Sequence, residues 1–196
     1  DVLGIPNLVI MGGDPPKIGD HPETKGVYDL FASQLIEAGV ALNSGHDLAG
    51  NETKGSTSLY IGSVFNPGAT DMEGEVTNTH RKIDAGAEFF QTQAIYETDG
   101  YHQFMDSLDR GNINTLAGII PIKSVKMATY MNERVPGIDI PQHMLDRIAQ
   151  AEADDRVLDE SMAIAAETIA AIKDHCQGIH IMAIGWEKHI PALLER

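Results

Sequence analysis

Short apolar runs alternate with longer amphipathic stretches along the whole chain. The apolar runs are rich in Ile, Val, Phe and Leu and cover residues 7–11, 59–65, 89–95, 116–122 and 178–184. Apolar runs of this length, without strict alternation of polar residues, are typical of parallel strands that are buried on both faces. The pattern therefore predicts five strands.

The stretches between these runs place apolar residues at intervals of three and four positions, which is typical of helices with one buried face. They cover residues 28–42, 72–85, 101–109, 125–134 and 158–176. The last stretch shows the pattern most plainly, because Met162, Ile169 and Ile172 are set among Glu160 and Glu167. The sequence therefore predicts strand and helix in regular succession.

Two segments interrupt this succession. Residues 43–58 are polar and rich in Gly, and we expect an ordered excursion or a short hairpin there. Residues 135–144 contain a Pro136-Gly137 turn, after which we expect a short extra helix that begins at Asp139 or Pro141. Neither segment indicates a domain boundary, so we predict one domain over residues 1–196.

Five strand-helix units predict an α/β fold in which right-handed crossovers join parallel strands. An open doubly wound sheet suits the 196 residues, whereas a (β/α)8 TIM barrel typically has about 250 residues and eight strands. The Gly-x-Gly-x-x-Gly and Walker fingerprints of nucleotide-binding open sheets do not occur. Length favours the open sheet, and the motifs described below favour the barrel.

The amino-acid composition limits which classes of partner and of metal site we expect. Lys and Arg number 14 against 29 Asp and Glu, and the resulting net charge of −15 makes nucleic acid and membrane surfaces poor partners. The single cysteine, Cys176, excludes an internal disulfide and a multi-thiolate metal site, and it fits the reducing cytoplasm. The histidines lack metal-ligand spacing, and no apolar stretch reaches the roughly 18 residues of a membrane span. We therefore expect no metal and no membrane.

Polar residues and glycines follow the predicted strands, where α/β proteins bind their ligands. Gly12 and Gly13 allow close approach to the backbone and Asp14 offers a carboxylate, although Asp14 capping a tight turn explains this segment equally well. Gln93 lies in a buried strand, where its amide must be paired. It is either a structural amide or a donor and acceptor for a heteroaromatic ligand such as a pterin or a flavin.

A basic trio, His80-Arg81-Lys82, stands out in this acidic chain. Asn78 lies one helical turn before Lys82 on the same face of the predicted helix. The residues admit two interpretations, a phosphate-binding site or a solvated face that pairs with nearby acids.

Taken together, these motifs resemble the methylenetetrahydrofolate reductase family in their order and spacing. The segments that carry the resemblance are residues 12–16, 81–87, 92–93, 118–122, 135–141 and 178–180, so it covers nearly the whole chain. Residues 19–22 and 27–29 look more like the branch that includes acetogenic reductases and reductase domains fused to a methyltransferase.

The resemblance implies a flavin-containing (β/α)8 TIM barrel that passes a hydride from a reduced donor through the flavin to methylenetetrahydrofolate. The five strands would be the fourth to the eighth, and the chain, which opens at Asp1 without a Met, would lack the N-terminal part of the barrel and its catalytic glutamate. The donor would be NAD(P)H or a ferredoxin-type protein. The protein would act as a homo-oligomer or as a subunit of a complex.

Roles also follow from the resemblance. Asp14 matches the catalytic carboxylate near the flavin and the pterin, and Gln93 matches the glutamine that binds the folate. The flavin-binding positions are Gly12, Gly13, Asp14, Phe31, Ala32, Asn66, Glu75, Asn78, Arg81 and Lys82.

The chain also departs from the family at some of these positions. Gly12 replaces an arginine, Phe31 a tyrosine, and Asn66 and Thr70 a tyrosine and a histidine, which alters the contacts to the adenine half of FAD and leaves FMN as the alternative cofactor. Trp186 replaces a late arginine. The alternative function is a non-catalytic folate-binding or flavin-binding module, or a partner subunit of a reductase complex.

Overall fold

The structure is a computed structural model that describes residues 3–13, 15–108 and 113–195. Asp14, the predicted catalytic carboxylate, lies outside the described residues, as does Asp109 at the end of the third predicted helix.

Five strands form one sheet in the order β1-β2-β3-β4-β5. Their bounds are β1 Asn7–Ile10, β2 Tyr60–Phe65, β3 Phe89–Ala94, β4 Asn114–Ile119 and β5 Gly178–Ile181. β1 pairs with β2 in parallel, and β4 pairs with β5 in parallel. The α/β class with five parallel strands is therefore confirmed, while the numbering of these strands within a barrel stays a prediction.

Seven α-helices lie within the described residues. Their bounds are α1 Ala32–Asn43, α2 Met72–Asp84, α3 Thr98–Leu108, α4 Val125–Arg134, α5 Gln142–Ala153, α6 Val157–Ile172 and α7 Ile190–Leu194. Short 3-10 helices cover Pro16–Ile18, Lys173–His175 and Glu187–His189. In the part of the chain that the structure describes, no helix combines the length and the apolar composition needed to cross a bilayer.

The element bounds differ from the predicted ones for local reasons. α1 begins at Ala32 and not at residue 28, because Phe31 has extended backbone and its N–H donates to the Gln34 side chain at 2.8 Å. β4 ends at Ile119, shortly before Pro121, which has no N–H to donate to a neighbouring strand.

The two interrupting segments are ordered. His46 and Glu52 pair in an isolated antiparallel bridge, so the chain folds back on itself within residues 43–58 without forming regular strands there. The extra helix expected after the Pro-Gly turn is α5, whose N-cap is Pro141 and which runs for 12 residues. It is therefore longer than the short helix that we expected.

The chain divides into two compact units, a first unit of residues 1–64 and 78–90 and a second unit of residues 65–77 and 91–196. In the first unit, Ile36 of α1, Ile61 of β2 and Ala85 form the core. Asn43 at the end of α1 donates to the Leu59 carbonyl and accepts from the Leu59 N–H, both at 2.8 Å. The C-terminus of α1 thus lies at the amino end of β2, and its N-terminus lies at the carboxyl ends of β1 and β2.

Two buried clusters pack the described elements of the second unit. One joins Ile120 and Ile122 to helices α4 and α5, and the other joins Ala117 and Ile119 of β4 to Met162 of α6. Ala94 of β3 and Ile179 and Ile181 of β5 also belong to these clusters. Because side chains alternate along a strand, the strand residues that alternate with Ala94, with Ala117 and Ile119, and with Ile179 and Ile181 lie on the opposite face of the sheet. They are Gln91 and Gln93 of β3, Leu116 and Gly118 of β4, and Gly178 and His180 of β5.

Candidate functional site

Glycines and a buried cation mark the carboxyl end of the strands in the first unit. A Cβ added to Gly12 or Gly13, directly after β1, would meet no atom of the described residues within 4 Å. Lys82 of α2 is only 6% exposed, and its Nζ donates to the Val64 carbonyl of β2 at 2.6 Å. A buried ammonium is tolerated only where hydrogen bonds replace water, so this contact holds the charge at the end of β2.

The basic trio does not present one uniform face. Arg81 is exposed, whereas the neighbouring Lys82 is buried, with its ammonium at the carboxyl end of β2. The interpretation of the trio as a solvated face is therefore wrong for Lys82. His80 and Asn78 are half-buried.

The N-terminus of α1 carries two further predicted site residues. Phe31 is 74% exposed, and Ala32 beside it is half-buried. Because the N-terminus of α1 faces the carboxyl ends of the strands, Phe31 and Ala32 lie at the same end of the first unit as Gly12, Gly13 and the Lys82 ammonium.

In the second unit the structure brings Asn66 and Glu75 together. The Asn66 N–H donates to the Glu75 carboxylate at 3.1 Å. The Asn66 side chain accepts from the Gly68 N–H at 3.1 Å and donates to the Pro136 carbonyl at 3.4 Å. Gly137, with φ of +77°, leaves room for it. Asn66 thus joins the loop after β2 to the Pro136-Gly137 turn, and both ends of its amide are hydrogen-bonded within the protein.

Only the NH2 end of the Gln93 side-chain amide is available to a ligand. Its Oε1 accepts from the N–H of Ala94 at 3.0 Å, so the acceptor is already paired within β3. Its Nε2 has no hydrogen-bond partner among the residues that the structure describes, and the side chain is half-buried. The residue is therefore available to a ligand as a donor, and not as the donor and acceptor that the sequence suggested.

His180 lies beside the predicted site residues, although the sequence analysis assigned it no role there. It pairs in register with Gly118, on the face of the sheet that also carries Gln93. His180 is half-buried and makes no hydrogen bond to another described residue. The sequence offered two signals for it, namely its place in the 178–180 segment of the family resemblance and its spacing of two residues from Gly178, which puts both on one face of the strand.

A cavity of about 50 Å³ lies beside the Asn66 loop in the second unit, lined in part by Tyr96, Glu97, Tyr101 and Asp139. It is much smaller than the several hundred Å³ of typical ligand pockets, so it has no room for a pterin. Burial raises the pKa of Tyr96 and of Tyr101, and their hydroxyls donate to backbone carbonyls at 2.8 and 2.9 Å. Both side chains are therefore neutral structural donors.

No candidate metal-binding cluster occurs among the described residues. No group of three or more His, Cys, Asp or Glu side chains there is arranged to hold a metal ion. Burial raises the pKa of Cys176, which keeps its half-buried thiol protonated near neutral pH.

Comparison with known proteins gives one family. The family model for methylenetetrahydrofolate reductase matches residues 1–196. Methylenetetrahydrofolate reductase 1 of Schizosaccharomyces pombe is 24% identical over 201 residues, which cover 98% of this chain and 31% of the relative. The 5,10-methylenetetrahydrofolate reductase of Escherichia coli K12 is 27% identical over 139 residues, which cover 68% of this chain and 42% of the relative. The chain thus spans less than half the length of these relatives.

A solved structure has a similar fold. It is an uncharacterized protein from Clostridium thermocellum that binds two copies of 5-methyl-5,6,7,8-tetrahydrofolic acid. The TM-score is 0.54 at 21% sequence identity, with 70% of this chain and 52% of that chain covered. At this identity the likeness concerns the fold alone.

Proposed function

Because the chain belongs to the methylenetetrahydrofolate reductase family, we propose that it is part of a flavin-dependent enzyme that reduces 5,10-methylenetetrahydrofolate to 5-methyltetrahydrofolate. The observation that carries the proposal is the Nε2 of Gln93, which no described residue pairs, at the carboxyl end of a parallel strand. The matched family position binds folate, and parallel α/β proteins bind their ligands at this end of the strands.

The chemistry of Gln93 fits a pterin. The Nε2 carries two N–H donors, and a pterin ring offers a carbonyl oxygen and ring nitrogens as acceptors. Since Oε1 is held by Ala94, the amide is fixed in one orientation before substrate arrives. A fixed donor orients the substrate at a lower entropic cost than a freely rotating side chain.

The residues of the first unit fit the phosphate-bearing part of a flavin. Lys82 and Arg81 supply positive charge, and the open space beside Gly12 and Gly13 admits a ligand close to the backbone. A bound flavin supplies the hydride-transfer chemistry. We propose FAD as the cofactor and FMN as the alternative. The side-chain amide of Asn66, at a position matched to the adenine half of FAD, is fully hydrogen-bonded within the protein, and this favours FMN.

Further parts of this proposal rest on the resemblance. We propose that Asp14 is the carboxylate beside the flavin and the pterin, and that β1 to β5 are the fourth to eighth strands of a single barrel domain. The electron donor would be NAD(P)H or a ferredoxin-type protein, and the protein would be a homo-oligomer or a subunit of a complex. We also propose, from the resemblance of residues 19–22 and 27–29, that it belongs to the acetogenic or methyltransferase-fused branch. The single cysteine suits the cytoplasm.

The Gln93→Ala variant of the intact protein tests the proposal. We expect oxidation of 5-methyltetrahydrofolate to fall about tenfold in kcat/KM, because a substrate contact worth about 1.4 kcal/mol is lost. The visible absorption of bound flavin should stay unchanged. The matched control is Gln91→Ala, which removes the same kind of side chain from the same strand and face and should keep nearly full activity.

Two results would contradict the proposal or favour its alternative. If Gln93→Ala loses flavin and activity equally, or if Gln93→Ala and Gln91→Ala lower kcat/KM equally, Gln93 does not have the proposed role in substrate binding. A colourless wild-type protein that binds 5-methyltetrahydrofolate without turning it over would support the non-catalytic folate-binding module.

A further inference from the structure

The hydroxyl of Thr92 bridges two strands directly beside Gln93. Thr92 is 4% exposed, and its Oγ1 donates to the Gln93 carbonyl at 2.6 Å. The same oxygen accepts from the N–H of Gly118 in β4 at 2.8 Å. One buried side chain therefore holds the peptide that follows Gln93 and links it to the neighbouring strand.

β4 leaves no room for a side chain at Gly118, where it faces β3. A Cβ added to Gly118 would lie 2.5 Å from the Thr92 carbonyl oxygen and 2.8 Å from that of Gln93. The next contact along the strands is a regular one, in which the Ile95 N–H donates to the Gly118 carbonyl at 2.9 Å. At Gly118 the Thr92 hydroxyl thus serves as a hydrogen-bond partner between the two strands.

The direction of the Gln93 amide depends on this peptide. The Thr92 hydroxyl holds the carbonyl at one end of the peptide, and the Ala94 N–H at its other end donates to Gln93 Oε1. Rotating the peptide would break both contacts and release the side chain. Oε1 would then be free to turn towards a ligand, and Nε2 would lose its fixed orientation.

We propose that Thr92 is a positioning residue for substrate binding, because it fixes the peptide that makes Gln93 present its Nε2. The effect on folate rests on the function proposed above, whereas the effect on the Gln93 side chain does not. Thr92 itself contacts no substrate in this proposal, and its influence passes entirely through Gln93.

Binding measurements on the intact protein test this coupling. In Thr92→Val, which keeps the shape and loses the hydroxyl, the Kd for 5-methyltetrahydrofolate should rise about 3- to 10-fold, because one hydrogen bond that orders Gln93 is lost. Thr92→Ser restores the hydroxyl and should bring the Kd back to within about twofold. Adding Thr92→Val to Gln93→Ala should leave the Kd of Gln93→Ala unchanged, because Thr92 affects binding only through the Gln93 side chain, which that variant lacks.

The control is Thr115→Val. Thr115 is another fully buried threonine, on β4, whose hydroxyl donates to the Ile113 carbonyl and not to Gln93. We expect it to lower stability without raising the Kd. Equal weakening by Thr115→Val, or additive losses in the Thr92→Val and Gln93→Ala double variant, would overturn the proposal, because the effect of Thr92 would then be a general effect on the sheet.

A measurement without substrate separates this inference from the proposed function. The side-chain NH2 signals of Gln93, assigned by their absence in Gln93→Ala, should shift in Thr92→Val and return in Thr92→Ser. Unchanged signals in Thr92→Val would overturn the positioning role. A Kd that is the same in wild type and Gln93→Ala would instead refute the proposed substrate role of Gln93, with the NMR result still deciding whether Thr92 positions it.

Discussion

At the scale of single residues, the geometry around β3 and β4 depends on the absence of a side chain at Gly118. Gly118 allows its strand to approach the Thr92 and Gln93 carbonyls closely, and both neighbours are backbone atoms that cannot rotate away. The sequence motif around residue 118 indicated a site, but the reason for glycine there is a contact between strands 26 residues apart. No local pattern contains that information.

Gly118→Ala should therefore destabilise the protein. The added Cβ would lie 2.5 Å from the Thr92 carbonyl oxygen, and forced overpacking of this kind typically costs about 1–3 kcal/mol. Urea denaturation measures the loss of unfolding free energy. The control is Gly100→Ala in the first turn of α3, where an added Cβ meets nothing within 4 Å and stability should stay level or rise slightly. Equal stability of both variants would show that β4 relaxes freely at residue 118.

At the scale of elements, Arg147 ties two helices together. From α5 it donates to Glu160 at 2.6 Å and to both carboxylate oxygens of Glu167 at 2.6 and 3.0 Å, and both acids lie on α6. The hydrogen bond from Arg147 is the main reason that the pKa of Glu167 is lowered from its ordinary value of 4.5. Because the Glu167 side chain is 61% exposed, solvent screens the pair and its contribution to stability is small.

Glu167→Gln should lower the unfolding free energy at pH 7 by at most about 1 kcal/mol. A carboxyl whose pKa is lower in the folded state stabilises the protein above its unfolded pKa, and this contribution is lost as the pH falls through the folded pKa. The difference between wild type and variant should therefore disappear well below pH 4.5.

Denaturation curves at a series of pH values measure that difference. Glu133→Gln replaces an exposed carboxylate on α4 and is the control, with little difference expected at any pH. A Glu167→Gln deficit that persists in strong acid would assign the effect to packing and not to the ion pair.

At the scale of the whole molecule, acidic residues outnumber basic ones and give a net charge of −15. Excess charge of one sign favours the expanded chain, because unfolding moves like charges apart. Salt shortens the Debye length from about 30 Å at 0.01 M to about 8 Å at 0.15 M and so weakens this repulsion.

The melting temperature at pH 7 should therefore rise by a few degrees between about 0.01 M and about 0.15 M NaCl. Scanning calorimetry measures the shift. The same titration near the isoelectric point of about 4.7 is the control, because the net charge is small there and the rise should vanish. A melting temperature that falls with salt at pH 7 would mean that local pairs such as those of Arg147 outweigh the net repulsion.

The sequence by itself determined the succession of strands and helices, the parallel α/β class and the family, because hydrophobic periodicity and turn residues act over a few neighbouring positions. Only the tertiary structure decided which atoms are available. Lys82 meets Val64 across 18 residues, Thr92 meets Gly118 across 26, and Asn66 meets Pro136 across 70. Burial and hydrogen bonding depend on such distant partners. The sequence therefore could not show that the Nε2 of Gln93 lacks a partner among the described residues, or that both ends of the Asn66 side-chain amide are hydrogen-bonded.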